Sequence, residues 1–182
     1  MKDIRFAESK LVPDAAKILL QEAITNEFTG GFHWSNPVVG DPNRIRDHFC
    51  RFGGTQTFVY ADDDVVGVIY PRRLSSQKDQ IITGLEGNTL RQYWRLSNIY
   101  IASDHQGCGY GAAILQKFMA MHPKLMYMAR SDNLTSQALA EKNGLPHLRD
   151  IHILSDGAIV EATKGQRPSV RHVTHRVYMT RP

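Results

Sequence analysis

Apolar and polar residues alternate in several short stretches of this chain, the pattern of β-strands that bury one face and expose the other. The alternation predicts strands at 4–7, 55–61, 65–70, 91–101, 125–129, 148–154 and 173–180. Only the polar run 62–64 separates the second strand from the third, and both are rich in β-branched and aromatic residues. These two strands are therefore expected to form a hairpin.

Other stretches repeat their apolar residues at the spacing of a helix, at 12–24, 111–120 and 136–143. Pro13 suits the opening turn of the first helix. The second helix lies between two predicted strands and is expected to join them as a crossover. The order of elements predicts a mixed α/β fold, with hairpins first and this crossover between the two middle strands.

Two connections between these elements are too long and irregular for simple turns. The first, 25–40, combines glycines with Pro, Phe and Trp, which suits either a lid with aromatic contacts or a loop folded onto the core. The second, 72–89, precedes the strand at 91–101 and contains Glu86. We expect both connections to influence the choice of substrate, and Glu86 is a candidate general base.

The strand at 91–101 leads into a glycine-rich segment, Gln106-Gly-Cys-Gly-Tyr-Gly111, and then into a helix. Glycines at 107, 109 and 111 let the bare main chain approach a ligand, because no Cβ stands in the way. The N-terminus of the following helix carries roughly half a positive charge. Backbone amides and this charge favour an anion, so the segment predicts a cradle for a pyrophosphate.

Other interpretations of this segment are a plain turn, a dinucleotide-binding fingerprint and a P-loop. The order Gly107-Cys-Gly-Tyr-Gly-Ala112 fits the fingerprint, and Asp132 follows where an acidic residue is expected. However, the fingerprint usually opens a run of βαβ units, whereas here the preceding half predicts hairpins. A P-loop would require Gly-Lys-Ser/Thr after the glycines, which the segment lacks.

Two motifs between residues 98 and 145 resemble the GNAT superfamily of acyl-CoA-dependent N-acyltransferases. The pyrophosphate loop of that family, Gln/Arg-x-x-Gly-x-Gly/Ala, falls on Gln106, Gly109 and Gly111. The second motif is a strand, then Asn, then a helix that ends in Glu-Lys-x-Gly-Phe. Here the strand at 125–129 precedes Asn133, and a helix ending in Glu141-Lys-Asn-Gly-Leu145 follows.

The resemblance implies a largely antiparallel central sheet flanked by helices, with acetyl-CoA as cosubstrate and no metal. It implies transfer of acetyl to an amine of a small molecule or protein by direct attack in a ternary complex. A backbone N–H near the end of the strand at 91–101 would polarise the thioester carbonyl. Pairing of two copies through the C-terminal strands is implied as well. The residues expected to bind acetyl-CoA are Ile99, Ile101, Gln106, Gly107, Cys108, Gly109, Tyr110, Gly111, Asn133 and Ser136.

Two positions depart from the family pattern. Members often carry a Tyr before the Glu-Lys pair, which can protonate the departing thiolate, and that position is Ala140 here. Some members place a Glu general base on the strand before the loop, where this chain has Arg95. A thiol of pKa about 8.5 leaves readily, but an alkyl ammonium of pKa about 10 must lose a proton before it attacks.

Other residues are therefore needed to handle the proton. Asn98 and Tyr100 share one strand face and are candidates for ordering a water near the acceptor amine. Histidines are further candidates for a proton relay, since the unperturbed pKa of imidazole is near 6.5. They are His105, His152, His172 and His175.

Length and composition predict a single domain over residues 1–182, because 42% apolar residues can bury two layers around a sheet. No apolar run approaches the roughly 18 residues of a membrane span, and no hydrophobic signal region follows the first residues. A cytoplasmic protein without membrane contact is expected. Two cysteines are too few for a disulfide framework, and no Cys/His cluster has zinc spacing.

The charge pattern adds nucleic acid as a candidate partner. The formal net charge is +4, and the strip 164–182 carries Lys and Arg residues but no acid. Such a strip can track a nucleic-acid backbone, form a solvated edge or contact the phosphates of coenzyme A. Trp94-Arg-Leu, the glycine loop and the terminal Val177-Tyr-Met-Thr-Arg-Pro182 also loosely resemble the acetyltransferase module of tRNA cytidine acetyltransferases.

The sequence thus leaves more than one function open. The first is an N-acetyltransferase for an amine of a small molecule or protein. The second is an N-acyltransferase acting on a nucleic-acid base, whose exocyclic amine is already neutral at pH 7 and needs no strong base. The third is a catalytically degenerate member that binds acyl-CoA or a partner without turnover, which the residues Arg95 and Ala140 suggest.

Overall fold

The structure is a computed structural model that describes residues 3–9, 56–163 and 172–181. The side chains of Ser97 and Asn98 lie outside the description, although their backbone is part of a strand. The predicted helix at 12–24 and the predicted connection at 25–40 also lie outside the described residues.

The described strands form one sheet. They are β1 (Arg5–Ser9), β2 (Gln56–Ala61), β3 (Asp64–Arg73), β4 (Trp94–Ile101), β5 (Leu125–Arg130), β6 (His147–Leu154), β7 (Ile159–Glu161) and β8 (His172–Met179). Their order in the sheet is β1-β2-β3-β4-β5-β8-β6-β7. The helices are α1 (Gln77–Thr83), α2 (Gly87–Arg91), α3 (Tyr110–Met121) and α4 (Leu134–Lys142), and a 3₁₀ turn covers Ser103–His105.

The chain divides into two compact units, of which the first comprises residues 1–70 and 98–115. In it β1 pairs antiparallel with β2, and β2 pairs antiparallel with β3. The predicted hairpin is confirmed, and Asp62 turns the chain with a positive φ of 53°. Phe58, Val66 and Val68 are fully buried and form part of the core.

The second unit comprises residues 71–97 and 116–182. Here β4 pairs parallel with β5 over Trp94–Leu96, so the predicted crossover through α3 is confirmed. The strand β8 pairs antiparallel with both β5 and β6. The mixed α/β class and the largely antiparallel sheet are as expected from the sequence.

Helices cover the sheet of the second unit. From α1, α2 and the segments beside them, Leu74, Ile82, Leu90 and Tyr93 pack into one core cluster with sheet residues, which are Met126, Ile151, Val177 and Met179. Elsewhere, Phe118 of α3 contacts the ring of Trp94 edge-on, and α4 contacts β5 and β8 through side-chain hydrogen bonds.

The expectation of an irregular connection at 72–89 is wrong, because this segment forms the end of β3 and the helices α1 and α2. The start of α1 is a capping box: Ser76 Oγ accepts from the backbone N–H of Asp79, and the Asp79 carboxylate accepts from the N–H of Ser76. Ile82 and Leu90 anchor the two helices in the core. Both helices are shorter than the window in which helical periodicity can be recognised.

Candidate functional site

The glycine-rich segment lies at the start of α3. Gly107 and Gly109 have positive φ values of 72° and 87°, a region that L-residues with a side chain seldom adopt. A Cβ built on either glycine would meet nothing within 4 Å among the described residues. The described part of the chain therefore leaves open the space into which these positions face.

The amides at the N-terminus of α3 point out of the helix. Ala113 donates the first intrahelical hydrogen bond, to Gly109. The amides of Gly111 and Ala112 precede that bond, so the helix offers them no acceptor. Amides in this position, with the partial positive charge of the helix end, suit an anion.

Gln106 attaches the loop to the strand before it. Its side-chain Nε2 donates to the backbone oxygen of Ile101 at 3.0 Å, and its backbone N–H closes the 3₁₀ turn on Ser103. The rings of His105 and Tyr110 then meet edge-on, with centroids 5.6 Å apart. The structure thus brings Ile101, Gln106 and the two glycines of positive φ together in one loop.

Cys108 is an exposed free thiol within this loop. Ile99 and Ile101 lie on β4 and are partly buried. Among the residues that the structure describes, no group of three or more His, Cys, Asp or Glu is arranged to hold a metal ion.

Tyr100 is the candidate catalytic residue on β4 whose side chain is described. Its ring meets Tyr70 edge-on at 6.4 Å. Burial raises the pKa of the Tyr100 phenol far above its ordinary value, so the hydroxyl stays protonated at neutral pH. It can donate a hydrogen bond, but it cannot act as a base there.

Asn133 and Ser136 start α4, in the second unit. Asn133 caps this helix, since its side-chain oxygen accepts from the N–H of Ser136 at 2.9 Å. The Ser136 hydroxyl forms a 2.6 Å hydrogen bond with the hydroxyl of Tyr127 on β5. Both predicted ligand residues therefore have a structural role, and the amide nitrogen of Asn133 keeps its donors.

Glu86 stands at the N-cap of α2 with an exposed side chain. Ala140, which stands where many family members have a tyrosine, is fully buried in α4.

Arg95 occupies the family position of the general base, and its surroundings could not be foreseen from the sequence. It lies close enough to Arg72 and Asp79 to interact with both, and burial together with Arg72 lowers its pKa to about 10. At neutral pH it is therefore a cation and cannot take up a proton. His175 of β8 also lies within range of Arg95.

A parallel β4–α3–β5 unit carries the glycine-rich loop at the start of its helix. The sequence pattern of the acetyltransferase (GNAT) family matches residues 19–145, which is more than half of the chain. The chain therefore belongs to the GNAT family. No curated protein matches it significantly.

Solved structures of the family are similar over nearly the whole chain. The yncA protein of Salmonella typhimurium, solved with its cofactor acetyl-CoA, has 18% identity and a TM-score of 0.60, covering 97% of this chain and 91% of its own. A ribosomal-protein-alanine N-acetyltransferase of Brucella melitensis has 17% identity and a TM-score of 0.61, covering 97% and 98%. At these identities the likeness supports the fold alone. These similarities do not show the resemblance to tRNA cytidine acetyltransferases.

Proposed function

We propose that this protein is an N-acetyltransferase that moves the acetyl group of acetyl-CoA to an amine by direct attack in a ternary complex. The observation that carries the proposal is the loop Gln106–Gly111, with two glycines of positive φ, open space above them and a helix N-terminus behind them. This arrangement fits the pyrophosphate of coenzyme A, because phosphate oxygens can reach main-chain amides without meeting a Cβ.

The other expected ligand residues fit a long, partly polar molecule. Ile99 and Ile101 offer apolar surface on β4, while Asn133 and Ser136 offer polar groups at the start of α4. Tyr110, Cys108 and Gly111 complete the loop. Membership of a family whose solved members include one with acetyl-CoA supports this choice of donor.

In the proposed reaction the amine nitrogen forms a bond to the acetyl carbon and the carbon–sulfur bond breaks. The amine loses a proton and the sulfur leaves as a thiolate, which water can protonate because its pKa is near 8.5. Tyr100 is protonated and can donate a hydrogen bond to an ordered water or to the leaving sulfur. Asn98 and Glu86 remain candidates for handling the proton of the amine.

Isothermal titration of the protein with acetyl-CoA, ADP and NAD tests the donor. We expect acetyl-CoA to bind with much higher affinity than ADP or NAD, since only acetyl-CoA offers both a pyrophosphate and the thioester arm. A preference for NAD would instead support the dinucleotide fingerprint. Equal weak binding of all three would contradict the proposal.

Gly109→Asp and Gly109→Asn form a matched pair for the loop. Both side chains strain the same positive φ, and Asn is tolerated there about as well as Asp. Only Asp brings a negative charge towards the phosphates, so we expect it to weaken acetyl-CoA binding at least about tenfold more than Asn, roughly 1.4 kcal/mol. Equal affinities of the two variants, with circular dichroism showing both folded, would place the phosphates elsewhere.

Turnover separates an enzyme from a degenerate member. Release of coenzyme A thiol, measured with a chromogenic disulfide across a panel of amines, is expected for at least one acceptor. Tight acetyl-CoA binding without thiol release across primary amines, peptides and nucleosides would instead support a binding protein.

A further inference from the structure

The side chains around Arg95 form a cluster of charges in the second unit. Arg72 binds Asp79 through two hydrogen bonds, of 2.8 Å from Nη1 and 2.6 Å from Nη2. Arg130 binds Asp132 in the same two-pronged way, with Nε donating at 2.9 Å. In each pair, the carboxylate compensates the guanidinium.

Arg95 has no such partner. Its Nε is buried and makes no hydrogen bond among the described residues. Asp79 acts on Arg95 through its charge, but both of its carboxylate oxygens already accept from Arg72, as both oxygens of Asp132 do from Arg130. Among the described residues, Arg95 and the neighbours of His175 therefore comprise three guanidinium groups and two carboxylates, and Arg95 is the guanidinium without a carboxylate of its own.

His175 cannot supply the missing negative charge. Burial, together with the charges of Arg95 and Arg130, lowers its pKa to about 4, although the backbone of Val173 and the charge of Asp132 act in the opposite direction. The imidazole is therefore neutral at pH 7. A buried guanidinium whose nearest carboxylate is shared with another arginine gains from an anion that binds it directly.

We propose that Arg95 binds a carboxylate of the amine acceptor, so that the acceptor class is an amine that also carries a carboxylate. The proposal rests on the proposed acetyl transfer, in which the phosphates of the donor belong to the glycine-rich loop. The planar guanidinium matches a carboxylate with two parallel hydrogen bonds. Arg95 as a whole residue is only partly buried.

Arg149 provides an internal control. Its Nε is also buried without a hydrogen bond among the described residues. It lies beside Gly84, however, at the C-cap of α1, where backbone carbonyls carry partial negative charge. It therefore does not need an external anion in the way that Arg95 does.

The first test measures anion binding without any turnover. The Nε–H signals of Arg95 and Arg149 are followed by NMR in the intact protein during titration with sodium acetate, and with inorganic phosphate, at constant ionic strength. We expect the Arg95 signal to shift saturably with acetate, with a dissociation constant in roughly the millimolar range, while Arg149 does not move. A larger response to phosphate than to acetate, or equal shifts of both arginines, would overturn the assignment of a carboxylate to Arg95.

The second test compares acceptors with and without an anionic group. One set pairs each α-amino acid with its carboxamide, and the other pairs O-phosphoethanolamine with ethanolamine. In the thiol-release assay we expect the kcat/KM of each amino acid to be at least tenfold higher than that of its carboxamide. Arg95→Gln should remove this preference mainly through KM, Arg95→Lys should keep part of it, and Arg149→Gln should keep it fully. A preference that survives in Arg95→Gln would refute the proposal.

The outcomes also separate this inference from the proposed function. If acetyl-CoA fails to bind, the proposed function fails, whereas the acetate titration still decides whether Arg95 is an anion site. If Arg95→Gln weakens acetyl-CoA binding and leaves acceptor preference unchanged, Arg95 serves the donor and the inference about the acceptor is wrong.

Discussion

Asp79 is fully buried, and its carboxylate accepts hydrogen bonds from Arg72, Ser75 and Ser76. Burial alone would raise its pKa, but hydrogen bonds from Arg72 and from Ser76 and Ser75 outweigh burial and hold the pKa well below its ordinary value of 3.8. The same oxygens cap α1 and fix the end of β3. One side chain thus supports a strand end, a helix start and an ion pair.

We expect Asp79→Asn to lower the free energy of unfolding by about 3 kcal/mol at pH 7, the lower end for breaking a buried ion pair. The unfolded carboxyl takes up a proton near pH 4, whereas the folded one stays ionised to lower pH. The unfolded state therefore binds more protons below pH 4, and the contribution of Asp79 declines as the pH falls. Urea denaturation of both proteins at pH 7 and pH 3 should show a smaller difference at pH 3. A constant difference would mean that Asp79 acts through its shape and not through its charge.

Ala140 tests whether the family residue can simply be restored. Ala140→Tyr would restore the hydroxyl that protonates the thiolate in other members, but the side chain of Ala140 is fully buried. A phenol ring there must displace packed neighbours, at a cost of about 1–3 kcal/mol or more. We expect a lower melting temperature, measured by calorimetry, with Ala140→Ser as the control of small volume. A Tyr variant as stable as the wild type would reveal unoccupied space beside α4.

The candidate site could be predicted only where it rests on local sequence. Glycines at alternate positions before a helix indicate an anion loop because backbone freedom and helix polarity are properties of short segments. The charges around Arg95 come from β3, α1, β4, β5 and β8, and no spacing along the chain announces such a group. The sequence shows that Arg95 departs from the family pattern, whereas the residues around it are known only from the tertiary structure.

Among the secondary-structure elements, β3 and β4 approach each other unusually closely in the first unit. A Cβ added to Gly67 of β3 would lie 2.5 Å from the backbone oxygen of Tyr100 on β4. Close by, the N–H of Ala102 donates to the oxygen of Val66 at 3.1 Å. A side chain at position 67 would therefore push away the strand end that precedes the glycine-rich loop.

We expect Gly67→Ala to destabilise the protein by about 1–3 kcal/mol and to weaken acetyl-CoA binding, because the strand end carries the loop. Gly87→Ala serves for comparison: a Cβ there meets nothing within 4 Å in the described part of the chain, but its φ of 53° disfavours a side chain, so it measures backbone strain without a steric clash. Denaturation and titration calorimetry report the two effects separately. Unchanged stability of Gly67→Ala would show that β4 can move without cost.

Elements long enough to show a period were predicted well, and short ones were not. The helix α3 and the strand β5 lie within one or two residues of the expected bounds, because their buried faces are continuous. The helices α1 and α2 and the three-residue strand β7 were missed. They depend on packing against distant parts of the chain, which leaves little periodic signal.

At the scale of the whole molecule, the basic C-terminal strip is described from residue 172 to residue 181. It includes β8, which lies between β5 and β6 and is not a sheet edge. Arg176 faces Glu141 at 3.7 Å, and the hydroxyl of Tyr178 donates to the same carboxylate. These contacts leave less free positive charge for a nucleic acid than the sequence suggests.

We expect transfer RNA to bind only weakly, with dissociation constants of about 10⁻⁴–10⁻⁶ M that rise steeply with salt, as for non-specific contacts. Fluorescence anisotropy measures this dependence between roughly 50 and 200 mM salt, the range over which such contacts are lost. A tighter, salt-resistant complex would return the nucleic-acid base to consideration as the acceptor. The matched variant is Arg176→Gln, which removes one positive charge from β8.

The position of β8 also has a consequence for synthesis on the ribosome. The strands β5 and β6 are translated before β8, yet each pairs with β8 in the finished sheet. Until residues 172–179 emerge, both strands carry unpaired hydrogen-bonding edges, which attract other nascent chains. The strand that joins β5 and β6 is thus translated after both of them, and a polypeptide released before β8 would be a natural client for chaperones.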